Sequence, residues 1–225
     1  MPEHSLASRD VAIRAGGVFL PGSLTLPTAP RGVVLFAHGS GSSRTSPRNT
    51  FVARTLHDAG MGTLLFDLLT PAEDRVHAAR FDIPLLAGRL AEATAWLRRE
   101  GDAGDVPLGY FGASTGAGAA LLAAATPGAP VGAIVSRGGR PDLAGAPALA
   151  RVTAPTLLIV GGEDRDVIAL NRDASTHLKC PHLLEIVPGA THLFEEPGTL
   201  EQVAALAAAW FRRWLGTDGR SPPVP

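Results

Sequence analysis

A single cysteine, Cys180, stands in a chain of 225 residues. No disulfide can close within it, and this usage suits a reducing compartment. Cys180 precedes Pro181 where a helical pattern gives way to a strand pattern, a place for packing rather than for a nucleophile. An excess of one charge is also missing. Twenty basic and 21 acidic residues leave a net charge of −1, spread without blocks, so neither nucleic acid nor an anionic membrane surface is expected as a partner. No apolar run reaches the ~18 residues of a membrane span. The longest, Gly116 to Val135, is broken by Pro127 and Pro130, and Met1 to Asp10 lacks the apolar stretch of a secretory leader. The expectation is a cytoplasmic protein with no membrane contact.

What is present is an alternation of strand and helix patterns. Val11 to Arg14 and Val18 to Pro27, parted by Gly16-Gly17, read as an opening hairpin. Gly32 to Ala37, Met61 to Phe66, Pro107 to Phe111, Val131 to Val135, Thr156 to Val160 and Leu183 to Val187 read as further strands, most of them continuous apolar runs. Between them lie helical stripes. One opens at Ser46-Pro47, one at Asp82 and Pro84, one runs over Ala117 to Ala125, one over Ile168 to Leu178, and a closing helix starts at a Thr199/Gln202 capping box. The pattern predicts a doubly wound α/β sheet of about eight strands, mostly parallel, with an antiparallel first edge. One domain is expected over residues 1–216, with a proline-rich disordered tail at 217–225. Ligands of such sheets bind at the carboxyl ends of the strands, and that rule selects the loops to search.

Gly112-Ala113-Ser114-Thr115-Gly116 lies where strand turns into helix. A G-x-S-x-G turn needs small flanking residues because the serine sits on a sharp, strained bend that lifts its hydroxyl clear of the sheet. Gly112 to Gly118 also resembles the glycine turn of a short-chain dehydrogenase. That chemistry needs a Tyr-x-x-x-Lys pair, and the lone tyrosine and lysine, Tyr110 and Lys179, are far from that spacing. Ser114 is therefore the candidate nucleophile.

A serine hydroxyl needs a base, and the base needs a carboxylate to hold its tautomer. Of the seven histidines, only His38 and His192 directly follow a strand. His192, after the last strand in Pro188 to Phe194, is the candidate base. The preceding strand ends in Gly161-Gly162-Glu163-Asp164-Arg165-Asp166. Asp164 is the first choice of acid, Asp166 the second and Glu163 the third; Asp166 also suits a helix cap. For the developing oxyanion, the N–H of Thr115 is one expected donor, and that of Ser40, in His38-Gly39-Ser40-Gly41, is the other. His38 is expected to brace that loop. The histidines and carboxylates show no short metal-ligand spacing, so neither a metal nor an organic cofactor is expected.

Together, His38-Gly39-Ser40-Gly41, the Ser114 turn, Gly161 to Asp164 and Gly189-Ala190-Thr191-His192 resemble the α/β-hydrolase superfamily. Within it they are most similar to the compact dienelactone hydrolase-like group. The resemblance spans Val18 to Leu215 and implies an α/β-hydrolase fold with helices on both faces of the sheet and no cap domain. Dienelactone hydrolase proper uses a cysteine nucleophile, whereas Ser114 stands here. That shifts the expectation to a serine hydrolase of small carboxylic esters or lactones, working through an acyl-enzyme intermediate.

On the substrate side, Arg137 and Arg140, in a loop expected to flex at Gly138-Gly139, form with Arg44 a cationic rim suited to a carboxylate. The competing reading pairs Arg137 with a structural carboxylate such as Asp142. Phe194 is expected to offer apolar contact, and Leu68 to Phe81 to form a pocket wall. A thioesterase or peptidase would use the same triad. A non-catalytic scaffold is the alternative of another class, though it should lose a triad position and this chain keeps three. A small-molecule ester is the expected partner, in a monomer or homodimer.

Overall fold

The structure, a computed structural model, describes residues 5–100 and 103–216. The tail expected at 217–225 lies outside the described residues. Eight strands, β1 (Leu6–Ala15), β2 (Val18–Pro27), β3 (Val33–Ala37), β4 (Gly62–Phe66), β5 (Leu108–Ala113), β6 (Ala133–Arg137), β7 (Thr156–Gly161) and β8 (His182–Val187), form one sheet in the order β1-β2-β4-β3-β5-β6-β7-β8. The β1–β2 and β2–β4 ladders are antiparallel, and all others are parallel. β1 starts five residues before the alternation at Val11, as an exposed edge paired only with β2.

The helices are α1 (Pro47–Asp58), α2 (Pro71–Asp74), α3 (Ile83–Arg99), α4 (Thr115–Ala124), α5 (Ala146–Leu149), α6 (Arg165–His177) and α7 (Thr199–Leu215). Strand side chains alternate between two apolar clusters. Leu35, Leu64, Tyr110, Ile134 and Leu158 face α3, α4 and α6, while Val34, Phe36, Phe111, Val135 and Ile159 face α1 and α7. Both faces are covered, which is why the central strands read as unbroken apolar runs.

Two caps stand as expected. Ser46 accepts from the Asn49 N–H at 3.5 Å, and Asp82 from the Leu85 N–H at 3.0 Å. At α7 the expected Thr199/Gln202 box does not form. Gly198, at φ 83°, takes the cap position, its carbonyl accepts the Gln202 N–H, and Thr199 turns its hydroxyl back to the Glu196 carbonyl at 2.7 Å. Leu68 to Phe81, which shows no periodicity, holds α2 and a 3-10 turn at His77–Phe81. There Thr70 and Glu73 make a complete capping box. Between β6 and β7 only a 3-10 turn at Pro141–Ala144 and the four-residue α5 intervene. The strand order reverses at β3, so the rim above β3 and β5 is the crevice where such sheets bind ligands.

Candidate active site

β5 stops at Ala113 and α4 starts at Thr115, so Ser114 alone makes the turn. Its backbone lies at φ 50° and ψ −123°, a region that costs a residue with a side chain about 1–3 kcal/mol. The surroundings hold it there. The Ser114 N–H donates to the Arg137 carbonyl at 3.2 Å, and its own carbonyl accepts from Ala117 and Arg140 at 3.0 and 3.1 Å. The flanking glycines are a steric demand. A Cβ at Gly112 would lie 2.5 Å from the Ala117 Cα, and one at Gly116 would overlap the Ala37 and His38 carbonyl oxygens. Gly39 meets the same turn from the β3 side, where a Cβ would come 3.0 Å from that of Ser114.

Asp164 follows β7 and stands at the N-cap of α6, but its carboxylate caps nothing. Its Oδ2 accepts instead from His192 Nδ1 at 2.6 Å. So short a contact to an anionic acceptor holds the ring proton on Nδ1 and leaves Nε2 a free lone pair. The Asp164 side chain is 15% exposed and that of His192 39%, which matches a buried anchor and an accessible ring. Two backbone bonds stitch their loops together, Gly162 N–H to the Val187 carbonyl at 2.8 Å and Glu163 N–H to the Ala190 carbonyl at 3.0 Å. Asp166, weighed as cap and as second acid, lies in the first turn of α6. Glu196 ties down the far side of the histidine loop by accepting the Thr191 hydroxyl at 2.7 Å and its N–H at 3.0 Å. Those bonds hold the Glu196 carboxyl below the usual carboxylate range.

Among the described residues, no hydrogen bond of 3.5 Å or less joins the Ser114 hydroxyl to His192. Both nonetheless flank one two-residue segment. The Arg137 carbonyl holds the Ser114 N–H, and a Cβ on Gly138 would lie 3.6 Å from the His192 Cε1. Catalytic contacts are often long in structures without substrate.

On the β3 side, His38 Nε2 accepts the Leu68 N–H at 3.0 Å, so the proton sits on Nδ1 and donates to the Gly39 carbonyl at 3.0 Å. Burial lowers the His38 pKa, which keeps this neutral tautomer. The Ser40 N–H, expected as a free donor, is engaged: it donates to Thr115 Oγ1 at 2.9 Å. The Thr115 N–H, first in α4, has no helical carbonyl to bond. His38, Gly39, Ser40 and Thr115 share a narrow crevice with Leu68, Leu69, Asp74 and Arg80, so the Leu68 to Phe81 segment does supply a wall. The Thr70/Glu73 capping box orders that segment.

The expected cationic rim does not assemble. Arg44 gives its N–H to Asp67 Oδ1 at 2.7 Å and its Nη1 to Oδ2 at 3.2 Å. It lines a cleft of about 490 Å³ with Ser8, Thr25 and His57, away from the triad candidates. Arg140 is paired twice with Asp142, at 2.8 and 2.7 Å, so Asp142 does not serve Arg137. Nor is the Arg137 loop loose, because Gly138 N–H bonds the Ile159 carbonyl at 2.8 Å and Asn171 Nδ2 bonds the Gly139 carbonyl at 2.9 Å. Arg137 is 8% exposed, and its buried Nε and Nη1 have no hydrogen-bond partner. Burial and the nearby Arg48 push its pKa down to about 10. Its guanidinium lies 6.0 Å from the Phe194 ring centroid. Phe194 itself is 2% exposed and packs into the α1/α7 cluster, so it faces away from substrate.

Among the described residues, no group of three or more histidine, cysteine or carboxylate side chains could hold a metal, and no helix is long and apolar enough to cross a membrane. No family model matches the chain. A Mycobacterium tuberculosis protein provisionally named a phosphoribosyl transferase is 60% identical over 216 residues, which are 96% of this chain and 48% of that protein. The chain thus spans about half the length of the curated relatives it matches. The crystal structure of a dienelactone hydrolase from Anabaena variabilis is 54% identical and superposes with a TM-score of 0.90, covering 94% of this chain and all of that one. A cold-adapted esterase from an Arctic intertidal metagenomic library shares the fold at a TM-score of 0.76 and 17% identity, over 96% of this chain and 98% of that one.

Proposed function

The chain belongs to the dienelactone hydrolase-like group of the α/β-hydrolase superfamily, and on that premise we propose that it is a serine hydrolase of small carboxylic esters or lactones. Ser114 attacks the carbonyl, His192 takes and returns the proton, and Asp164 holds the imidazole and steadies its cationic form. Water then releases the acyl group from Ser114. The 2.6 Å contact between Asp164 and His192 carries this reading, since it joins two strand-end loops into an acid–base pair beside a serine held at positive φ. A scaffold would have no use for a strained serine. The name of the Mycobacterium protein attaches to a chain about twice this long, of which half is unmatched.

Arg137 is the one expected substrate contact that keeps an uncompensated charge, and a carboxylate on the substrate is the group that would balance it. Arg44 and Arg140 already have their carboxylates.

One experiment tests both points. A short-chain nitrophenyl ester and a matched ester bearing a free carboxylate are offered to the wild type, Ser114→Ala and Arg137→Met. Ser114→Ala should lose at least about a thousandfold in kcat and should no longer be labelled by a fluorophosphonate. Arg137→Met should lose preference for the acidic ester while keeping the neutral rate. Equal rates for wild type and Ser114→Ala would end the assignment of the nucleophile.

A further inference from the structure

We propose that the Thr115 hydroxyl is itself an oxyanion donor, with the Ser40 amide behind it as the group that aims and polarises it. This rests on the serine-hydrolase reading and adds a second role to the residue after the nucleophile. A hydroxyl has one proton and two lone pairs. Thr115 Oγ1 uses a lone pair for the Ser40 N–H at 2.9 Å, and its proton has no acceptor among the described residues. Thr115 is 3% exposed and lies in a crevice rather than on the open surface. A buried donor left unspent is costly unless a partner arrives during function.

Position identifies that partner. Thr115 is one residue from Ser114 and lines the crevice shared with His38, Gly39 and Ser40. Its N–H, first in α4, also lacks a helical acceptor. One side chain and one amide of the residue that follows the nucleophile therefore offer two donors. The carbonyl oxygen that becomes anionic in the tetrahedral intermediate accepts both. The Thr115 proton is lent as a hydrogen bond and never transferred, so no charge moves onto the threonine. A chain running from the Ser40 N–H through the hydroxyl to the oxyanion strengthens each bond in it. The β-branch of threonine limits χ1 and keeps the hydroxyl aimed. The arrangement also accounts for the engaged Ser40 amide, which acts one step back from the reacting atom.

Replacing Thr115 with valine removes the hydroxyl and keeps the branch. Steady-state hydrolysis of a short-chain nitrophenyl ester should show kcat reduced about a hundredfold by Thr115→Val, with KM little changed. Thr115→Ser should recover most of the loss. Thr115→Ala, free of any clash from the second methyl, serves as the parallel variant, and thermal melting verifies that each protein is folded. If the hydroxyl only covers the Ser40 amide, Thr115→Val frees that amide and kcat holds or rises. That result overturns the proposal, as does wild-type kcat in any folded variant lacking the hydroxyl. Ser114→Ala separates the two levels. If Ser114→Ala is inactive while Thr115→Val is fully active, this inference alone falls; if Ser114→Ala hydrolyses the ester normally, the serine reading falls and takes this one with it.

Discussion

Ser114 and Phe194 are the two non-glycine residues held at positive φ among the described residues, at 50° and 56°, and they are held by different balances of main chain and side chain. At Ser114 the restraint is main chain. Three backbone hydrogen bonds to residues 117, 137 and 140 pin it, and glycines at 39, 112 and 116 let neighbouring backbone close in. At Phe194 a single backbone bond, from its N–H to the Thr191 carbonyl at 3.2 Å, is joined by a side-chain restraint, a ring sunk into the α1/α7 cluster under the Arg137 guanidinium. The nucleophile candidate is thus positioned by backbone geometry, whereas the base candidate adds to its loop's backbone bonds a side-chain anchor two residues along the chain. Changes that add atoms should damage the first, and changes that remove atoms should damage the second.

The largest expected effect comes from Gly116→Ala. Its Cβ would press on the Ala37 and His38 carbonyls, which belong to β3 and its loop and cannot move without breaking the sheet. The cost should be about 4 kcal/mol, read as a fall of about 10 °C in Tm, with activity lost along with the turn. Unchanged melting would mean that the elbow is not fixed by backbone crowding. Phe194→Ala comes next, at about 3 kcal/mol for a buried ring. Its signature is different. Hydrogen exchange should rise in residues 188–196 but not around Ser114, and kcat should drop about a hundredfold as His192 loses its place. Normal kcat in this variant would break the contrast between the two sites.

The same contrast explains what the sequence could announce. The turn at Ser114 and the pairing of Asp164 with His192 were legible because each of these residues follows a strand and each chemistry admits few residue types. The glycines were legible as well, since a backbone restraint leaves its mark in composition. Side-chain restraints leave no such mark. The bond from Ser40 to Thr115 spans 75 positions, and nothing local in either segment reports it. Arg137 shows the cost of a small slip. The apolar pattern placed the strand at Val131 to Val135, whereas β6 runs Ala133–Arg137, so a buried strand residue was read as part of a flexible loop. Phe194 was expected at the substrate because it neighbours His192, but positive φ turns the chain there and sends the ring inward.

The smallest expected effect sharpens the comparison through pH. His38 braces the loop beside Ser114 as a neutral ring, and burial lowers its pKa from 6.5. Below about pH 6.5 the unfolded chain takes up a proton that the folded ring resists. The contribution is therefore fully present above that pH and declines as pH falls toward the folded value. The slope is at most about 1.4 kcal/mol per pH unit for each such histidine. His57 is lowered by burial in the same way, so a global melt would sum the two. Local exchange separates them. After correction for intrinsic rates, the Leu68 amide, whose N–H donates to the His38 ring, should lose protection between about pH 7 and pH 5.5. Amides of the 188–196 loop, anchored by the Phe194 ring, should hold theirs. An NMR titration placing the His38 midpoint at or above 6.5 would remove the burial argument, because a ring that protonates as readily in the folded chain as in the unfolded one gives the Ser114 side no acid sensitivity of its own.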